Sequence, residues 1–200
     1  MHISAVLLDM DGTIWENPVD WRQVRRELGL ELDGRPIYSQ LAELSPSQRA
    51  AGEAVLRRHE ARGVAEGWLR PGTDELLAFL RRLGIRCALV TNNSRRSVAG
   101  VLQRHHLKFD LIHTRDHGAM KPAPEALLAP LAQLGVPPAQ ACVVGDSHLD
   151  LWAAQRAGVA AAILVAPRPW MQPLFPTQFQ AHLAQDLSQV REILAQLISS

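Results

Sequence analysis

Residues able to do chemistry fall in four short clusters: Asp9, Asp11, Gly12 and Thr13; Thr91 to Ser94; Lys121; and Gly145, Asp146 and Asp150. Carboxylates are hard oxygen donors of the kind that magnesium takes. A phosphate monoester is anionic and repels a carboxylate nucleophile, so a hard cation and fixed donors must neutralise it before the two can meet. Acids, a hydroxyl and an ammonium group in one set are the groups that such chemistry would need. Singly each residue has a plainer use: Asp-Gly marks turns, Thr91 suits a helix N-cap, Lys121 a solvated surface, and Asp150 the first turn of a helix. The ordered set, each member near a strand end, outweighs those readings.

Positioning them requires a scaffold. Ile3 to Leu8, Arg86 to Val90, Leu111 to Ile112, Ala141 to Val144 and Ala161 to Val165 are short apolar runs that read as strands. Leu76, Leu80 and Leu83 share one helical face, as do Leu127, Leu131 and Leu134, and Leu187, Val190, Leu194 and Leu197. Gly84, Gly135 and Gly158 follow helical patterns and suit the left-handed residue that ends a helix. Apolar strands alternating with helices predict a doubly wound α/β domain with a parallel sheet. Ligands gather beyond the carboxyl ends of such strands, where three of the clusters fall.

The alternation breaks between residues 16 and 70, where Trp21, Val24 and Leu28 and then Ser47 to Arg62 predict a small helical insertion. Two domains follow, a core of residues 1–15 and 71–200 and a cap of residues 16–70. Thr73 is the expected N-cap on re-entry, and residues 167–176, with four prolines, are expected to form an irregular loop.

Asp9-Met10-Asp11-Gly12-Thr13, Thr91, Lys121-Pro122 and Gly145-Asp146-Ser147-His148-Leu149-Asp150 resemble the four ordered motifs of the haloacid dehalogenase (HAD) superfamily. The resemblance covers nearly the whole chain and is nearest to the branch with phosphoglycolate phosphatase and β-phosphoglucomutase, although the cap is short for it. It implies a magnesium-dependent phosphatase acting on a small phosphorylated metabolite. Asp9 would be the nucleophile that forms an aspartyl-phosphate, and Asp11 the general acid and base. Thr91, the main-chain N–H groups of Gly12 and Asn92, and Lys121 would bind the phosphate. Asp9, the Asp11 carbonyl and Asp146 would hold Mg2+, with Asp150 behind a metal-bound water.

Two rivals stand beside this reading. A phosphoryl mutase would share the core but needs a cap that shuts out water. A non-catalytic receiver-like module finishes with its lysine, whereas here Asp146 and Asp150 follow Lys121. Composition narrows the field further. With 21 basic and 20 acidic residues the net charge of +1 offers no field for nucleic acid or an anionic membrane. Cys87 and Cys142 stand in apolar runs outside any CxxC, which fits a reducing cytoplasm rather than a disulfide framework or zinc site. His105 and His106, as helical neighbours, point apart and do not share an ion. Trp15 is a candidate to line a cleft, while Trp21, Trp68 and Trp152 are expected to pack in cap or core. Arg57 and Arg58 read as a solvated face.

Overall fold

A computed structural model describes residues 2–199. In chain order the strands are β1 (Ala5–Leu8), the two-residue β2 (Trp15–Glu16) and β3 (Trp68–Leu69), β4 (Arg86–Val90), β5 (Leu111–His113), β6 (Ala141–Gly145), β7 (Ala161–Val165) and β8 (His182–Ala184). The helices are α1 (Trp21–Glu27), α2 (Ile37–Ala42), α3 (Pro46–Glu66), α4 (Thr73–Arg82), α5 (Arg95–His105), α6 (Glu125–Leu134), α7 (His148–Ala157) and α8 (Leu187–Ser199). The chain divides into two compact units, one formed by residues 1–16 and 69–200 and the other by residues 17–68.

The larger unit is built on a six-stranded sheet ordered β5-β4-β1-β6-β7-β8, with parallel pairing throughout. All residues of β1, β6 and β7 are buried, as expected of strands covered by helices on both faces. The expected doubly wound α/β fold is therefore present, with Arg86–Val90 and Ala161–Val165 as strands. On α4, Leu76, Leu77 and Leu80 are buried, while Leu83, at the C-cap just beyond it, is 50% exposed. Each buried leucine there contributes about 1.5–3 kcal/mol. Gly84, Gly135 and Gly158 take φ of +68°, +69° and +67°, the left-handed geometry that closes each helix before the next strand.

Two local expectations change. Thr73 is the first residue of α4 rather than its cap; Gly72, at φ +89°, holds the cap position. The Thr73 hydroxyl instead donates to the Arg70 carbonyl at 2.7 Å. Within residues 167–176, Pro169–Leu174 winds into a 3-10 helix, because proline is tolerated at the start of such a turn.

The smaller unit has its own apolar centre of Val19, Val24, Ile37, Leu41 and Leu56. Asp20 caps α1 by accepting from the Arg22 and Gln23 N–H groups. Ser45 and Gln48 form a capping box at the start of α3, with Pro46 as its first residue. Helix α2 goes unrecognised in the sequence, since its six residues are too few to display a period. Gln40 anchors the segment before it, accepting from Glu31 N at 2.9 Å and donating to Glu31 O at 3.1 Å. Trp68 is 52% exposed, against the expectation that it packs.

Candidate active site

Strand β1 is the middle of the sheet's working edge. It lies between β4 and β6, with Leu8 paired to Leu89 and to Val144. The residues that follow these three strands therefore emerge side by side. Asp9 continues the ladder with its N–H on Val144 O at 2.9 Å; Thr91 follows β4 and Asp146 follows β6. This is the edge at which parallel sheets gather their ligands.

The turn after Asp9 is built around the Met10 carbonyl. Met10 O accepts from the N–H groups of Thr13, Ile14 and Trp15 at 3.2, 3.1 and 2.9 Å. Gly12 has φ +80°, and a Cβ there would run into the Asp146 carboxylate. Its N–H donates to Trp15 O at 2.8 Å. The Gly12 N–H, expected to hold phosphate, is bonded inside the turn, and the residue leaves space for Asp146. Trp15 is 1% exposed and meets the His105 ring edge-on at 5.1 Å. It packs in the core and does not line a cleft.

Lys121 is the hinge of the electrostatics. Its ammonium, 3% exposed as a residue, donates to Asp9 Oδ1 at 2.7 Å and Asp150 Oδ1 at 2.5 Å. The Asn92 side chain fixes the Lys121 backbone from both sides, accepting from its N–H at 2.9 Å and donating to its carbonyl at 2.7 Å. Asn93 reaches across to Asp11, donating to Oδ2 at 2.9 Å. The Asn93 N–H also donates to the Thr91 hydroxyl oxygen at 3.1 Å, which leaves the buried Thr91 O–H as a donor.

Asp150 is 1% exposed and fully engaged. Ser147 donates to its Oδ2 through the hydroxyl at 2.6 Å and through the backbone N–H at 3.1 Å, the reciprocal capping box that starts α7. Gly145 makes room for it, because a Cβ at that position would overlap the Asp150 carboxylate. Carboxylate oxygens of Asp9, Asp146 and Asp150 lie within 4.8 Å of one another. Burial, then repulsion by Asp9 and Asp150, raises the Asp146 pKa well above the ordinary carboxylate value, against the attraction of Arg168 and Lys121. Burial likewise lifts Asp9 to about 7, although Lys121 pulls the other way. Burial also opposes the charge on Lys121, but Asp150 and Asp9 overcome it and hold that pKa above the usual lysine value. One ammonium leaves the three acids under-compensated, and the oxygen-only donor set fits a hard divalent cation.

The structure thus brings together Asp9, Lys121, Asp146 and Asp150, and links Asp11 to Thr91 through Asn93. Asn93, Ser147 and Gly145 stand in the sequence clusters without an assigned role; the structure shows Asn93 tethering Asp11, Ser147 holding Asp150, and Gly145 leaving room for that carboxylate. A separate surface cavity of about 520 Å³, lined by Arg81, Arg86, Lys108 and Asp110 among others, lies at the beginning of β4 and contains none of these acids.

The haloacid dehalogenase-like hydrolase family matches residues 3–158 of this chain. The chain belongs to that family and is an enzyme, a hydrolase with the family's α/β fold. It is 31% identical over 170 residues to an uncharacterized hydrolase of Saccharomyces cerevisiae, covering 82% of this chain and 78% of the yeast protein. It is 36% identical over 144 residues to a phosphoglycolate phosphatase of Pseudomonas savastanoi pv. phaseolicola, covering 70% of this chain but 50% of that protein. Among solved structures, a hydrolase from Pseudomonas syringae superposes with a TM-score of 0.81 at 18% identity, over 97% of this chain and 99% of that one. At that identity the likeness speaks for the fold. CbbY from Rhodobacter sphaeroides, solved with phosphate, gives a TM-score of 0.67 at 25% identity over 94% of this chain and 96% of its own.

Proposed function

We propose that this chain is a magnesium-dependent phosphatase that hydrolyses a small phosphate monoester through an aspartyl-phosphate on Asp9, in the manner of the phosphoglycolate phosphatases it resembles. The observation that carries the reading is the convergence of Asp9, Lys121, Asp146 and Asp150 at the lip of β1. Asp9 and Asp146, with the main-chain carbonyl of Asp11, are the residues that would hold Mg2+. When bound, the cation supplies charge neutralisation and Lewis acidity at the phosphoryl oxygens.

The chain's own residues do the rest. Asp9 attacks phosphorus in line, splitting one slow displacement into two faster ones. Asp11, tethered by Asn93, protonates the departing alkoxide and then takes a proton from the attacking water. Thr91 O–H and the Asn92 N–H donate to phosphoryl oxygens. Lys121 carries fixed positive charge to the developing negative charge, and Asp150 keeps that ammonium in place. The helical unit enters the chain between Glu16 and Leu69, directly after the Asp9 motif, and serves as the cap that selects the substrate.

The test is phosphate release from p-nitrophenyl phosphate with and without magnesium, for the native chain and Asp9→Asn. Steady release that depends on magnesium, and its complete loss in a folded Asp9→Asn protein, are the expected results. An active Asp9→Asn enzyme would reject the nucleophile. Phosphate moved only between sugar hydroxyls would favour a mutase.

A further inference from the structure

We propose that Arg168 binds a second anionic group, a carboxylate or another phosphate, on the ester whose phosphoryl group Asp9 accepts; this specificity rests on the phosphatase reading above. Lys121 is already shared between Asp9 and Asp150, so it has little left to offer a second anion. Arg168 is a further cation carried by the sheet unit itself.

Its placement follows from the sheet. β7 lies beside β6, with Leu164 opposite Gly145, so the residues after β7 emerge next to Asp146. Ala166 turns the chain with φ +43° and donates its N–H to Ala184 O at 2.7 Å. Pro167 and Pro169 then flank Arg168 and restrict its backbone. Two residues on, the Trp170 ring meets the His148 ring edge-on, 6.5 Å between centroids. That contact ties the segment to the first turn of α7, two residues from Asp146. Asp146 accordingly feels the positive charge of Arg168.

Arg168 is partly buried, yet its guanidinium makes no ion pair or hydrogen bond with the described residues. Asp146, the acid across from it, belongs to the cation site. A planar fork of donors held beside an anion-binding centre, without a partner, suits bidentate recognition of a carboxylate or phosphate. The plainer alternative is that Arg168 only offsets the charge of Asp146, and this makes a different prediction.

The experiment compares kcat/KM, with magnesium present, for the native chain, Arg168→Gln and Arg168→Lys. The probes are 2-phosphoglycolate, 2-hydroxyethyl phosphate, which has a hydroxyl in place of the carboxylate, and ethane-1,2-diol bisphosphate. The native enzyme should prefer one of the two doubly anionic esters, and which one tells whether the second group is a carboxylate or a phosphate. Arg168→Gln should lose about tenfold or more on the preferred ester, mainly through KM, and change by less than about twofold on 2-hydroxyethyl phosphate. Arg168→Lys should recover part of the loss. An equal fall on all three esters would assign Arg168 to Asp146 and overturn the proposal, as would no change on any. A native enzyme that turns over all three esters equally sinks the Arg168 assignment alone. One inactive on these and on p-nitrophenyl phosphate sinks the phosphatase reading beneath it.

Discussion

The ammonium of Lys121 lies 2.7 Å from Asp9 Oδ1, across 112 positions of sequence, and is the one hydrogen-bond donor to the Asp9 carboxylate among the described side-chain contacts. Removing it leaves two buried acids without their cation. Breaking a buried pair from one side costs about 3–5 kcal/mol. Lys121→Gln should therefore unfold at clearly lower denaturant concentration than the native chain when both are measured in EDTA, and should be close to inactive. An unchanged midpoint would show that the pair contributes nothing to the fold.

Gly145 is opposed to Asp150, and the absence of a side chain is what lets the carboxylate reach Lys121. Gly145→Ala should cost about 1–3 kcal/mol through overpacking and lower kcat by about tenfold or more by displacing the acid that holds the ammonium. Denaturation and steady-state kinetics would read the two effects separately. Full activity in this variant would mean that Asp150 is not needed where it stands.

Metal-free protein should lose stability as pH rises. Asp9 is lifted from 3.8 to about 7 and Asp146 well above 3.8, so between those values the folded chain binds more protons than the unfolded chain. Stability is then fully present below about pH 4 as far as these two groups are concerned, and falls as pH rises through the raised values. Melting in EDTA from pH 5 to 8 should show this fall, and added magnesium should flatten it. A metal-free Tm that climbs across the same range, with no response to magnesium, would contradict the acid cluster.

The two thiols should be silent in the native state. Burial pushes Cys142 up to about 12 and Cys87 likewise above its ordinary value, and both side chains are inaccessible. Titration with a disulfide reagent at pH 8 should find no fast thiol before denaturation and two after it. Rapid modification of native protein would mean that β4 or β6 opens readily.

Much of this architecture is legible in the amino-acid sequence. Strand ends could be located because parallel strands are apolar on both faces and stop at a change to polar residues, as at Leu8-Asp9 and Val90-Thr91. Helix ends could be located because Gly84, Gly135 and Gly158 adopt a backbone geometry that other residues avoid. β8 and α2 escaped because three and six residues carry too little pattern. Thr73 misled because a hydroxyl that suits an N-cap can equally bond a carbonyl one turn back.

By itself the chain's order of residues determined which side chains could do the chemistry, since carboxylates, lysine and a hydroxyl announce their properties by type, and their spacing tied each to a strand end. Tertiary structure alone decided their partners. That Asn92 grips the Lys121 backbone, that Asn93 tethers Asp11, and that Trp170 ties the Arg168 segment to His148 all depend on contacts between segments far apart in sequence. Local propensity reaches only a few residues; pairings across a sheet edge exist only once the strands have set their neighbours.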